Sequence, residues 1–134
     1  MKSAPAQIDS ATRHSVEEFL SRIRGSYPIK AAYLYGSRAR GDARPDSDAD
    51  VALILDGPKG RSMDVAVAMA GVEADVLLDT GIIVSALPIW IEDWDNPEGH
   101  SNPWLVANIK REGIALRTQS SFLKRQIAAC KRHQ

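Results

Sequence analysis

A small α/β fold, with a mixed β-sheet and helices packed mainly on one face, is predicted by three features of this sequence. Stretches with apolar residues at helical spacing alternate with short apolar runs that read as buried strands. Glycine or proline punctuates most junctions between them, so the elements are short and closely connected. A length of 134 residues, 44% of them hydrophobic, supplies one compact core and not two. A single domain over residues 1–134 is therefore expected, with residues 1–8 flexible at its start.

Asp9 or Ser10 can cap a first helix, because Val16, Phe19, Leu20 and Ile23 then recur on one side, and Gly25 and Pro28 stop it. From Lys30, the run Ala31, Ala32, Tyr33, Leu34 and Tyr35 reads as a strand ending at Gly36. Residues 37–40 can form one helical turn, and residues 41–47 a polar loop containing Pro45. Val51, Ala52, Leu53, Ile54 and Leu55 make a second strand, closed by Asp56, Gly57 and Pro58. Residues 61–79 read as a helix whose packed stripe is Met63, Val67, Ala70, Ala74 and Leu77 or Leu78, weakened at Gly71. After Gly81 a third strand runs over 82–87, and Pro88, Asn96, Pro97, Gly99 and Pro103 mark a long irregular segment. Residues 105–111 form a short helix and 113–117 an extended piece. Residues 119–133 form a last helix, with Phe122, Leu123, Ile127 and Cys130 as its apolar residues.

Composition removes several classes of function. Seventeen basic residues balance seventeen acidic ones, so the chain lacks the positive field of a dedicated nucleic-acid binder. One cysteine, Cys130, cannot form an intramolecular disulfide, and residues 1–7 lack the apolar segment of a secretory signal. A reducing, cytoplasmic setting is expected. The longest apolar stretch, residues 82–91, is broken by Ser85 and Pro88 and falls well short of the ~20 residues that span a bilayer.

The chemistry concentrates between Tyr35 and Leu53. Gly36 and Ser37 follow the first strand, and Asp48-Ala49-Asp50-Val51 opens the second. Alternation along a strand puts Asp48 and Asp50 on one face and Ala49 and Val51 on the other. Two carboxylates in that position suit a hard divalent cation, Mg²⁺ or Mn²⁺, of the kind that assists displacement at phosphorus. Gly36 permits close backbone approach, and the Ser37 hydroxyl with the N–H groups of the following turn can cradle phosphate oxygens. Arg40 is a candidate for the same phosphates, and Arg38 a weaker one, since guanidinium forks match phosphate geometry.

The stretch Gly36-Ser37-Arg38-Ala39-Arg40-Gly41 through Ser47-Asp48-Ala49-Asp50-Val51 resembles the signature of the DNA polymerase beta nucleotidyltransferase superfamily, and the short chain resembles its minimal nucleotidyltransferase branch. The organisation is similar over residues 30–117, including Glu112-Gly113-Ile114, and the motif itself covers 36–51. The resemblance implies a nucleotidyltransferase-like fold. It also implies metal-dependent transfer of a nucleoside monophosphate, from ATP or another nucleoside triphosphate, to an acceptor hydroxyl. Asp48 and Asp50 would hold the metal, and Gly36, Ser37 and Arg40 the nucleotide. Minimal nucleotidyltransferases resemble the antitoxin half of systems whose toxin is a small helical HEPN protein, so such a partner is implied too.

Members of this superfamily carry a third carboxylate on the next strand, and residues 82–91 contain neither Asp nor Glu. Ser85 is the only hydroxyl residue there. Asp79, Glu92 and Asp93 are the nearest acids and read more simply as solvent-facing charges. The alternative to an enzyme is thus a catalytically impaired nucleotide-binding antitoxin or interaction module. Residues 88–103 with Trp90 and Trp94, and the last helix with Phe122 and Ile127, are the expected contact surfaces, although Trp90 reads better as core. Ser47 is expected to orient Asp48, and the segment from Gly57 to Ser62 to be a tight turn without the order of a Walker motif.

Overall fold

The computed structural model describes residues 8–60 and 62–118. The helix expected over 119–133 lies outside the described residues, with Phe122, Leu123, Ile127 and Cys130. In chain order the elements are α1 (Ser10–Ile23), β1 (Ile29–Tyr35), α2 (Ser37–Arg40), β2 (Ala49–Leu55), α3 (Ser62–Thr80), β3 (Val84–Trp90), α4 (Ile91–Asp95), a 3₁₀ turn (Pro97–Gly99), α5 (Pro103–Glu112) and β4 (Ile114–Leu116). The strands form one mixed sheet in the order β3-β2-β1-β4, with β1 antiparallel to β2 and β4, and β2 parallel to β3.

The sheet is covered unequally. On one face α1 and α3 bury Phe19, Ile23, Met69 and Val76 against Leu34, Val51, Leu53 and Leu55. On the other, Ala52, Ile54 and Ile89 pack with Val106 and Ile109 of α5 in a smaller core. Tyr35, the register partner of Asp50, packs against that second core. β2 is apolar on both sides because it lies between the two cores. Helix α1 starts as expected: the Asp9 carboxylate accepts from the Thr12 N–H at 2.8 Å, and Val16, Phe19, Leu20 and Ile23 are all buried.

Three sequence expectations are corrected. The packed face of α3 is Met69 and Val76, with Val65 and Val72 beside them, whereas Val67 is 67% and Leu78 83% exposed. Small and apolar residues surround this helix, so periodicity alone left its phase open and packing against α1 and β3 chose it. Next, β3 continues through Pro88 to Trp90. Ala86, two residues earlier and in the same phase, donates its N–H outward to Glu73 at 3.5 Å, so the N–H missing at Pro88 falls on the unpaired edge. Finally, the segment expected to be irregular contains α4, the 3₁₀ turn and the start of α5, and Asp93 within it is buried, not solvent-facing.

Candidate functional site

The end of the sheet where β1 finishes and β2 begins gathers the predicted residues. Tyr35 is in register with Asp50, and Asp50 with Ser85 on β3. Ala49 is fully buried and its N–H donates to the Ile83 carbonyl at 2.8 Å, which pins the start of β2 to β3. With Ala49 and Val51 turned into the core, Asp48 and Asp50 share the opposite face, Asp48 exposed and Asp50 half-buried.

Gly36 joins the two halves of the motif. Its φ is +77°, and a Cβ placed there would lie 2.5 Å from Asp50 Oδ2. Only glycine lets the end of β1 pass so close to that carboxylate. The Gly36 carbonyl then accepts from the N–H groups of Ala39 and Arg40, at 3.1 and 3.0 Å, winding the α2 turn on which Ser37 is the first residue. Gly36, Ser37, Asp48 and Asp50 are thereby brought to one end of the sheet.

The electrostatics there are unbalanced. Burial, then the charge of Asp48, push the Asp50 carboxyl above its ordinary range, and Arg40 acts in the other direction. Tyr35 is pushed up to about 12 by burial, with the Asp50 charge adding to it. Arg40 reaches Asp42 at 3.4 Å and Glu112 at 3.9 Å, so its guanidinium stands over the site on two loose, half-exposed ion pairs. Tyr35 and Glu112 are additions that sequence reasoning did not assign. Tyr35 precedes the motif directly, which is the signal that could have found it, whereas Glu112 joins only through the fold.

Arg38 does not face a phosphate site. It is 7% exposed and its guanidinium is bonded to Ser47, Pro45 and Thr12. The Ser47 hydroxyl accepts from the Arg44 N–H at 2.9 Å, closing the turn before Asp48 rather than bonding to that carboxylate. In the turn after β2, Lys59 reaches the buried Asp93 at 2.9 Å.

The three acids nearest β3 in sequence have other places in the fold. Asp79 is held by Arg22 at 2.6 Å on the helical face, and Glu92 and Asp93 belong to α4, which follows the far end of β3. Among the described residues, no group of three or more His, Cys, Asp or Glu side chains is arranged to hold a metal ion. The position beside Asp50 is occupied by Ser85. The expected contact aromatics are engaged within the fold: Trp90 is buried, and Trp94 stacks on Tyr33 at 5.2 Å beneath Lys110.

Residues 15–116 match the family model described as a nucleotidyltransferase domain. The chain belongs to that family. Among solved structures, the nucleotidyltransferase domain resembles in fold a candidate nucleotidyltransferase from Sulfolobus solfataricus, with a TM-score of 0.50 and 22% identity over 72% of this chain and 84% of that one. A search of curated proteins finds no significant match. No helix among the described residues is long and apolar enough to cross a membrane.

Proposed function

We propose that this nucleotidyltransferase acts as one domain that binds a nucleoside triphosphate with Mg²⁺ or Mn²⁺ and transfers the nucleoside monophosphate to an acceptor hydroxyl. The observation that carries the reading is the contact of the Gly36 backbone with the Asp50 carboxylate, on the face that Asp48 shares. The donor set fits a hard cation: it is all oxygen, and Asp50, raised first by burial and then by the Asp48 charge, is only partly offset by Arg40. Asp48 and Asp50 would hold the ion, which when bound supplies charge neutralisation at the transferring phosphoryl group. Gly36 and Ser37 would hold the β and γ phosphates, and Arg40 would exchange Asp42 and Glu112 for a phosphate oxygen. The acceptor oxygen forms its bond to the α phosphorus as the bond to pyrophosphate breaks. With no carboxylate on β3 to take it, the hydroxyl proton passes to solvent water, so turnover is expected to be slow.

That same vacancy favours a second reading. With Ser85 in register with Asp50, the chain would bind nucleotide without efficient transfer and act as the antitoxin or interaction module of a small helical HEPN-type partner. Calorimetric titration of Mn²⁺ and ATP tests what both share: the double variant Asp48→Asn, Asp50→Asn should lose metal-dependent ATP binding and keep its fold. Unchanged binding would sink the site. Incubating a co-purified helical partner with ATP and Mg²⁺ separates the two, because transfer adds a nucleotide mass to the partner and the module leaves only a complex.

A further inference from the structure

We propose that Arg38 is a positioning residue for the carboxylate pair, setting the turn that delivers Asp48; the inference rests on the reading of Asp48 and Asp50 as metal ligands. Arg38 leaves β1 on the α2 turn and points inward, only 7% exposed. Its Nε donates to the Ser47 carbonyl at 2.8 Å, and Nη2 to the carbonyls of Pro45 at 3.1 Å and Arg44 at 3.5 Å. Nη1 donates to Thr12 Oγ1 at 2.9 Å. That hydroxyl donates in turn to Asp9 Oδ2 at 2.7 Å, and Asp9 Oδ1 accepts from the Thr12 N–H. One guanidinium thus ties the turn over residues 44–47 to the first turn of α1.

Burying an arginine is costly unless its donors find acceptors, and here each of the three nitrogens donates to an oxygen, a set that a lysine could not engage together. With those donors spent, Arg38 is not available to a phosphate and can act only through what it holds. What it holds needs holding. Arg44, Pro45 and Asp46 are exposed and contribute nothing to the core, and Asp48 is exposed as well. The Ser47 carbonyl that Arg38 grips belongs to the peptide unit leading directly into Asp48. Release of that carbonyl would leave the turn closed only by the pairing of Ser47 with Arg44, and the spacing between the Asp48 and Asp50 carboxylates would broaden. Residues behind metal ligands commonly change affinity by ~10–100-fold when removed.

The test compares Arg38→Met, Arg38→Lys and Thr12→Val with Val16→Ala, a core control on α1 whose side chain makes none of these hydrogen bonds. Mn²⁺ alone is the probe, followed by paramagnetic resonance, and amide exchange is read over residues 42–50. Arg38→Met should weaken Mn²⁺ binding about tenfold or more and speed exchange selectively in that turn. Arg38→Lys should recover part of the loss. Val16→Ala should lower the melting temperature and leave both readouts alone. Should Arg38→Met not fold, Thr12→Val, which removes the Nη1 acceptor together with the hydroxyl's bond to Asp9, should show a smaller change in the same direction. Wild-type Mn²⁺ affinity and turn exchange in the folded Arg38 and Thr12 variants, or an equal loss in Val16→Ala, would overturn the proposal. A wild-type chain that binds no Mn²⁺ would instead overturn the metal reading, and faster turn exchange in Arg38→Met would still establish the tether.

Discussion

The two ends of the same sheet treat charge in opposite ways. Where β3 finishes, Asp93 is 5% exposed and its carboxylate is matched by Lys59 at 2.9 Å, beside the buried Trp90. Where β2 begins, half-buried Asp50 faces a second carboxylate and carries a raised pKa, with Arg40 held loosely nearby. One end neutralises its acid within the fold, as stability requires. The other leaves two like charges only partly offset by Arg40, a contrast that the proposed cation would remove.

The contrast is sharpened most by adding to the open end. Ser85→Asp would place a third carboxylate in register with Asp50 and should raise nucleotide transfer by roughly 10²-fold, measured as pyrophosphate release, because it supplies a base and a metal ligand together. It should also lower stability without metal, since a third negative charge joins two. Next in size is Gly36→Ala. The added Cβ meets Asp50 Oδ2 at 2.5 Å, and φ of +77° with ψ of −158° is nearly exclusive to glycine. Denaturant unfolding should show a loss of about 1–3 kcal/mol, accompanied by weaker Mn²⁺ binding.

At the closed end, Lys59→Met should leave Asp93 buried without its cation. The melting temperature should fall while Mn²⁺ affinity stays at the wild-type value, and a fall in both would show that the two ends are coupled. The smallest effect is expected at Glu73, whose carboxyl is raised by burial, with the Ala86 N–H working against the shift. A group raised in the fold contributes stability below its unfolded value, near 4.5, and loses it as pH rises through the folded one. Glu73→Gln should therefore give a slightly higher melting temperature at pH 7 and none of that gain at pH 4.

Much of this was legible because it depended on local order along the chain. Asp9 capped α1, Gly36 ended β1, and the Asp48-Ala49-Asp50 alternation opened β2, each from neighbours within a few residues. Arg38 was misplaced because its partners, Thr12 and residues 44–47, reach it only after folding. Pro88 read as a breaker because a strand's edge cannot be seen in one strand. Asp93 read as a surface charge because its cation lies 34 residues earlier.

By itself, the sequence determined the alternation of helix and strand from α1 to β3 and the turn at Gly36 and Ser37, since hydrophobic period and turn chemistry act over short distances. Only the tertiary structure decided which side of α3 is buried, what stands beside Asp50 on β3, and that Arg38 is spent on the turn before Asp48. Those outcomes depend on which surfaces meet, and a helix apolar on several sides or an arginine with several possible acceptors has no preference until the packing around it is made.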